Sequence, residues 1–218
     1  RANGLSFSFS FDNWLHDLRM GKIQGLYLHN SADHIPGFVE GQTPYAQLPN
    51  LKIASFRGAS RYKFNPNYSL KAIRSQTEIQ MKSAGSVLAG LVYSYYNIRN
   101  QSPDTSFIIS QTSQSVEIAA TAGYYYTLVI NKHWYGAMGI TPGWGINYTY
   151  TETTVNGEMI PAENALGVAR LTLGLGFGYN AEHLFFGGEV EAYKTSRRVN
   201  DSLIALATYN AYFQVFVG

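Results

Sequence analysis

The most regular feature of the sequence is an alternation of apolar and polar side chains with a period of two. Every even position from 116 to 130 is apolar, while the odd positions include Glu, Thr and Gly. Odd positions are apolar or glycine from 165 to 179, and the pattern recurs at 5–11 and 203–217. Successive side chains of a β-strand point to opposite faces, so the alternation predicts strands with one apolar face.

Three of these alternating runs, at 116–130, 165–179 and 203–217, are 15 residues long. Strands of globular proteins average about 5–6 residues, and a tilted strand crosses a bilayer in about 9–11. Runs of this length predict a barrel that extends past a membrane. Aromatic residues crowd the ends of the runs, as an interfacial girdle requires; they are Tyr93, Tyr95, Trp134, Tyr148, Tyr150, Tyr179 and Tyr209.

Short and long connections alternate between the runs. The turn-like connections are 65–67, 131–133 and 180–183, and the longer polar ones are 29–50, 99–106, 151–164 and 194–202. Outer-membrane barrels have short periplasmic turns and longer extracellular loops. We therefore expect the longer connections to lie outside the cell.

In one stretch, residues 73–95, the outward-facing positions stay odd without a break. The stretch is too long for one membrane crossing. It is either one strand that projects beyond the bilayer or two strands bent at 83–86, and the loop alternation favours one strand. Nine strands result, whereas single-chain bacterial barrels have even numbers. We expect at least one further N-terminal strand outside this sequence. The predicted fold is an all-β, antiparallel transmembrane β-barrel of about 10–12 strands, with 1–218 as a single domain.

Composition supports a membrane barrel over a soluble one. Charged residues are 14% of the chain, against about 25% in soluble domains. A lipocalin-like barrel or a β-sandwich would need a wet face rich in Lys and Glu, but here that face is mostly Ser, Thr, Gly, Asn, Gln and Tyr. The net charge of +2, without a basic block, does not indicate nucleic acid, and the absence of Cys excludes disulfides and thiol catalysis.

Two motifs carry a family resemblance. The segments Phe64–Ser69 and Gln76–Ser86, together with the Ser and Phe alternation of Gly4–Phe11, resemble a family of Bacteroidetes outer-membrane β-barrels known as domain of unknown function 4421. The resemblance spans most of the chain, and its specific motif covers about residues 64–92. It implies an outer-membrane location and no particular activity.

In the 73–95 stretch, the even positions from 74 to 82 are all polar and form a ladder on one face of the predicted strand. A charge at mid-bilayer costs about 2–4 kcal/mol, so the ladder must face the lumen. Arg57 and Arg61 of the preceding strand could pair there with Glu78 and the two Gln residues, because cross-strand neighbours on one face interact. The predicted lumen network is Arg57, Arg61, Lys63, Arg74, Gln76, Glu78, Gln80, Lys82, Arg170, Glu189 and Glu191.

The network has a structural and a functional interpretation. It could brace the interior, since buried charges must be paired, or it could line a selective pore or ligand site. A barrel of about ten strands has little open lumen once side chains fill it, which favours bracing.

Other candidate chemistry rests on shorter patterns. His29 and Ser31 resemble the His and Ser of outer-membrane phospholipases and lipid A deacylases, although Ala32 stands where those families usually have Asn. His29, Asp33 and His34 could bind a metal, but neighbouring His and Asp residues in a loop are more often simply solvated. The glycines at 174, 176 and 178 lie within a strand, which indicates close lumen packing and not a phosphate loop.

Three functions from different classes remain. The first is a non-enzymatic accessory or scaffold subunit of an envelope complex in the bacterial outer membrane. The second is a narrow pore or small-ligand barrel, and the third is a lipid-modifying hydrolase that uses His29 and Ser31. We expect outer-membrane lipid and other outer-membrane or periplasmic proteins as partners, and no cofactor.

Overall fold

The computed structural model describes residues 2–27, 37, 39–43, 47–74, 78–101, 109–131, 133–155, 157–181, 184–198 and 205–217. Its dominant element is one sheet of nine strands. The strands are β1 (Ala2–Phe11), β2 (Trp14–Tyr27), β3 (Gln47–Lys63), β4 (Ala84–Gln101), β5 (Ile109–Ile130), β6 (Trp134–Val155), β7 (Glu158–Asn180), β8 (Phe185–Arg198) and β9 (Ala205–Val217).

Each strand pairs antiparallel with the strands that precede and follow it in sequence. The sheet curls into a half-barrel, with β1 and β9 at its two edges. This confirms the all-β antiparallel fold and the nine strands expected within the sequence. The strands are long, up to 23 residues in β7, as the long alternating runs predicted.

The two faces of the curled sheet differ in the way the alternation predicted. On β5, the even side chains such as Ile118 and Leu128 are exposed, while the odd side chains Glu117, Thr121 and Thr127 are buried. On β7, Leu173, Leu175 and Phe177 are exposed at odd positions. We call the apolar, exposed face the outer face and the opposite one the concave face.

The structure differs from the expectation for residues 73–74 and 78–83, which do not continue β4. The strand begins at Ala84, and Lys71–Arg74 form a short helix, α1. The physical reason is that the Gln80 side chain ties this stretch to the residues that follow β3: its Oε1 accepts from the Ser69 N–H over 2.7 Å, and its Nε2 donates to the Asn67 and Lys82 carbonyls over 2.9 and 3.0 Å. The single-strand expectation for 73–95 is therefore wrong.

Residues 151–155 and 158–164 form strand, so the expectation of a long loop at 151–164 is wrong. The pairs Thr151–Ala162 and Val155–Glu158 continue the β6–β7 ladder to its tip, where Gly157 adopts a φ of 90°. The β-branched residues in this stretch favour extended backbone. The remaining predicted loops fall mostly outside the described residues or, for 194–198, within β8.

The connections define two ends of the half-barrel. We call the end that holds the described residues 12–13, 64–74, 78–83, 131, 133, 181 and 184 the turn end, and the opposite end the loop end. Within the described part of the chain, no helix is long and apolar enough to cross a bilayer.

Candidate functional site on the concave face

The described part of the connection between β3 and β4, residues 64–74 and 78–83, covers the concave face at the turn end, and we call it the plug segment. Its Tyr68 is fully buried and Leu70 is 6% exposed. Both join a cluster with Leu88 of β4 and Tyr125 of β5, against which Leu15, Ala84 and Ala137 pack. Four strands, β2, β4, β5 and β6, therefore contribute to the packing at this end.

Polar contacts fix the plug segment to the strands that flank it. Lys63 Nζ donates to the Tyr68 carbonyl over 2.7 Å, so this predicted network residue holds the plug segment from the end of β3. Asn65 Nδ2 donates to the Gly85 carbonyl over 2.8 Å, and the Asn65 N–H donates to Ser86 Oγ over 3.0 Å. Side-chain hydrogen bonds thus continue the connection between β3 and β4 beyond the end of their backbone ladder.

Glu78 is the acidic centre of the plug segment. Ser69 Oγ donates to its Oε2 over 2.5 Å, and Lys71 Nζ lies 3.2 Å from its Oε1. The hydrogen bond from Ser69, helped by Lys71, lowers the pKa of the Glu78 carboxyl below its ordinary value, although partial burial opposes the shift. The predicted pairing of Glu78 with Arg57 or Arg61 does not occur in the structure.

Arg61 instead pairs with Asp17 of β2. Arg61 Nη1 lies 2.7 Å from Asp17 Oδ2, and Ser8 Oγ donates to the other carboxylate oxygen over 2.8 Å. Sequence reasoning missed Asp17. The available signal was its odd position on β2, on the opposite face from Trp14 and Met20, which are exposed.

A second ion pair spans three strands. Arg170 Nη1 of β7 lies 2.9 Å from Glu117 Oε1 of β5, and the Glu117 side chain is only 4% exposed. Arg170 is paired in register with Gly143 of β6, which has no side chain to stand between the two groups. Arg170 was predicted to face the lumen, whereas Glu117 was not identified as its partner.

The rest of the predicted network is more dispersed. Arg57 is exposed on the concave face, with its guanidinium 6.0 Å from the Tyr96 ring centre. Glu189 and Glu191 lie on β8 in register with Gly176 and Gly174. Arg74 is in α1, Lys82 is exposed in the plug segment, and Gln76 lies outside the described residues.

Hydroxyl and amide groups continue the polar surface toward the loop end. Asn147 Nδ2 and Thr149 Oγ1 both donate to Ser115 Oγ, over 2.8 and 3.0 Å. Further along, the hydroxyls of Ser113 and Thr151 lie 3.0 Å apart. The concave face thus changes from an apolar cluster at the turn end to neutral polar groups at the loop end.

The weaker sequence candidates gain no support from this geometry. His29, Ser31, Asp33 and His34 lie outside the described residues. Among the described residues, no group of three His, Cys, Asp or Glu could hold a metal ion. Of the strand glycines, Gly178 faces Tyr135, whose hydroxyl would lie 2.6 Å from an added Cβ, in agreement with close packing.

The fold and the braced concave face define a class: a single-sheet, all-β protein of β-barrel type. The family model described as a domain of unknown function (DUF4421) matches residues 1–218, so the chain belongs to this family. No curated protein and no solved structure matches the chain.

Proposed function

We propose that the protein is an integral β-barrel of a bacterial outer membrane and serves as a non-enzymatic accessory or scaffold subunit of an envelope complex. The outer face carries this proposal. Apolar side chains are exposed there from one edge of the sheet to the other, including Phe7, Trp144, Leu175 and Phe213 at 50% to 73%. An apolar surface much larger than a few hundred Å² marks a membrane or protein interaction site.

The dimensions of the apolar surface suit a bilayer. On β7 the apolar outer positions run from Ala169 to Tyr179. At about 3.3 Å per residue and a tilt of roughly 40°, this stretch rises about 25 Å, the height of the apolar band in outer-membrane barrels. Trp134, Tyr179 and Phe186 pack together at the turn end, with Trp134 and Tyr179 4.9 Å apart between ring centres. They supply an aromatic girdle.

The concave face supports a structural role over transport. The plug segment covers the turn end with a buried apolar cluster, and two ion pairs cross the strands beyond it. These features brace the interior. Because the plug segment covers the turn end, the strands at the loop end offer a larger surface for a partner to contact. A subunit that presents such a surface to partners needs no open passage.

Membrane insertion can be tested directly. The full chain, expressed with an export signal, should fractionate with the outer membrane and show a heat-dependent shift in gel mobility, because folded barrels resist detergent until heated. Recovery in a soluble periplasmic fraction would overturn the location.

The scaffold role needs a second experiment. Affinity purification after cross-linking in cells should recover a defined set of envelope proteins, and the set should shrink when the β6–β7 tip, residues 152–162, is replaced by Asn-Gly. Recovery of the protein alone would contradict this role.

A narrow pore is the second candidate, because the concave face at the loop end is lined by Ser115, Asn147 and Thr149 and carries the exposed Arg57. Planar-bilayer recordings would separate the two functions. The scaffold proposal predicts that the wild-type protein is silent. Discrete conductance steps from the wild type would favour the pore.

A further inference from the structure

Three cations cluster on the outer face at the loop end, on neighbouring strands β2, β3 and β4. Lys22, Lys52 and Arg99 are all exposed. Lys52 and Arg99 are paired in register, which places directly opposite residues about 5 Å apart, and Lys22 is a diagonal neighbour of Lys52 at about 7–8 Å. We call these residues the basic cluster.

The basic cluster lies immediately beyond the apolar surface. On the side of the cluster toward the turn end, Met20, Phe56 and Tyr95 are paired across the same three strands. All three side chains are apolar or aromatic. The cations begin two residues beyond Met20 on β2 and four residues beyond Phe56 and Tyr95 on the other strands. This is the height at which lipid headgroups meet an inserted barrel.

No carboxylate on the neighbouring outer face balances these charges. The described outer-facing positions of β1–β5 include no Asp or Glu, and like charges directly opposite each other on a sheet are destabilising. On the described strands, the outer-facing carboxylate in the row of Arg99 is Glu152, which is two strands away and accepts a hydrogen bond from Tyr150 over 2.9 Å. An anion from outside the chain would remove the repulsion.

Hydrogen bonds connect the basic cluster with the aromatic row below it. Asn97 Nδ2 lies 3.4 Å from the Tyr95 hydroxyl, and Arg99 Nε donates to Asn97 Oδ1 over 3.3 Å. The second of these hydrogen bonds uses Nε of Arg99. Within the described residues, no contact involves the two terminal nitrogens of its guanidinium group. Paired terminal N–H groups of arginine match the oxygens of a phosphate.

We propose that the basic cluster binds the phosphate of an anionic lipid headgroup in the leaflet at the loop end. This inference rests on the proposed membrane location and adds a specific lipid site to it. A lipid fits better than a free anion because its acyl chains would lie along Met20, Phe56 and Tyr95 while its phosphate meets the cations. Removal of two of the three cations should weaken binding about thirtyfold, at about 1 kcal/mol per cation near a charged lipid surface.

The test measures the thermal midpoint of unfolding of the full, detergent-folded chain while diphosphoryl lipid A is titrated into the micelles. The wild type should gain stability at low lipid concentration. The double variant Lys52→Gln/Arg99→Gln should require about thirtyfold more lipid for the same gain. Arg57→Gln is the matched control, because it removes a cation from the concave face of the same strand β3 and should respond like the wild type.

Three outcomes would overturn the lipid site: equal responses of the wild type and the double variant, an equal response to lipid A stripped of both phosphates, or an equal response to inorganic phosphate alone. Heat-dependent gel mobility, measured first on every variant, reports whether each has folded. A wild type that fractionates away from the outer membrane would defeat the proposed location, and an inserted barrel that does not discriminate phosphates would defeat only the lipid site.

Discussion

Arg170 and Glu117 form a 2.9 Å ion pair across an intervening strand, with the Glu117 side chain 4% exposed. The pair ties β7 to β5, so it resists separation of the three longest strands. Because the carboxylate is buried, its removal would take this close opposite charge away from Arg170 on the concave face.

Glu117→Gln should therefore destabilise the folded protein by about 2–4 kcal/mol. Urea unfolding in lipid vesicles, followed by tryptophan fluorescence, would measure the change. Glu158→Gln, at an exposed position near the β6–β7 tip, is the matched control and should have little effect. Equal stability of the two variants would show that the ion pair contributes nothing.

Tyr68→Ala should loosen the plug segment. Tyr68 is fully buried against the strands, and loss of a buried aromatic ring costs about 3–5 kcal/mol. Trypsin should then cut the folded barrel faster at Lys71 and Lys82. Met81→Ala, 61% exposed in the same segment, should leave the cleavage rate unchanged. Equally slow cleavage of both variants would contradict the packing of Tyr68.

The plug segment should also respond to acid. The folded-state pKa of Glu78 is lowered below its ordinary value, mainly by the hydrogen bond from Ser69. The resulting stability is complete above the pKa of the unfolded chain and is lost as the pH falls through the lower, folded-state pKa. Tryptic cleavage cannot be followed at such pH, so pepsin cleavage between pH 5 and pH 2 would measure the change. Glu78→Gln should remove this part of the pH dependence, and an unchanged profile would refute it.

Gly90→Ala should destabilise the sheet, whereas Gly136→Ala should not. A Cβ at Gly90 would press on the backbone of β3, with the Arg61 Cα at 2.7 Å, and the backbone cannot move as a flexible side chain can. At Gly136 nothing lies within 4 Å. We expect a cost of about 1–3 kcal/mol at Gly90, measured by the same urea unfolding. Equal free energies of unfolding for the two variants would mean that the β3 backbone moves away from the added Cβ without cost.

The alternation of side chains predicted most of the sheet, because one apolar face leaves a period of two in the sequence. It failed at 78–83, where polar and apolar residues alternate but the Gln80 side chain bonds the backbone at Ser69 and Lys82. It also missed the hairpin at 151–164. The dipeptide Asn156-Gly157 is a strong two-residue hairpin signal, but the polar residues around it favoured a loop.

The site was harder to predict than the fold. Arg61 and Arg170 were placed on the interior face by parity, but their partners Asp17 and Glu117 depend on the register between strands. Arg170 pairs in register with Gly143 and still reaches Glu117, which is paired with Asn147. Neither parity nor turn signals in one strand specify such a diagonal contact.

The strand ends at the turn end are stepped in the register of the sheet. β2 begins at Trp14, in the same row as Ala89 of β4, whereas the β5–β6 ladder continues to Ile130 and Trp134. The plug segment follows β3 at this step and packs against Leu88 and Tyr125. The strands that extend further at this end thus provide the surface against which the plug segment folds.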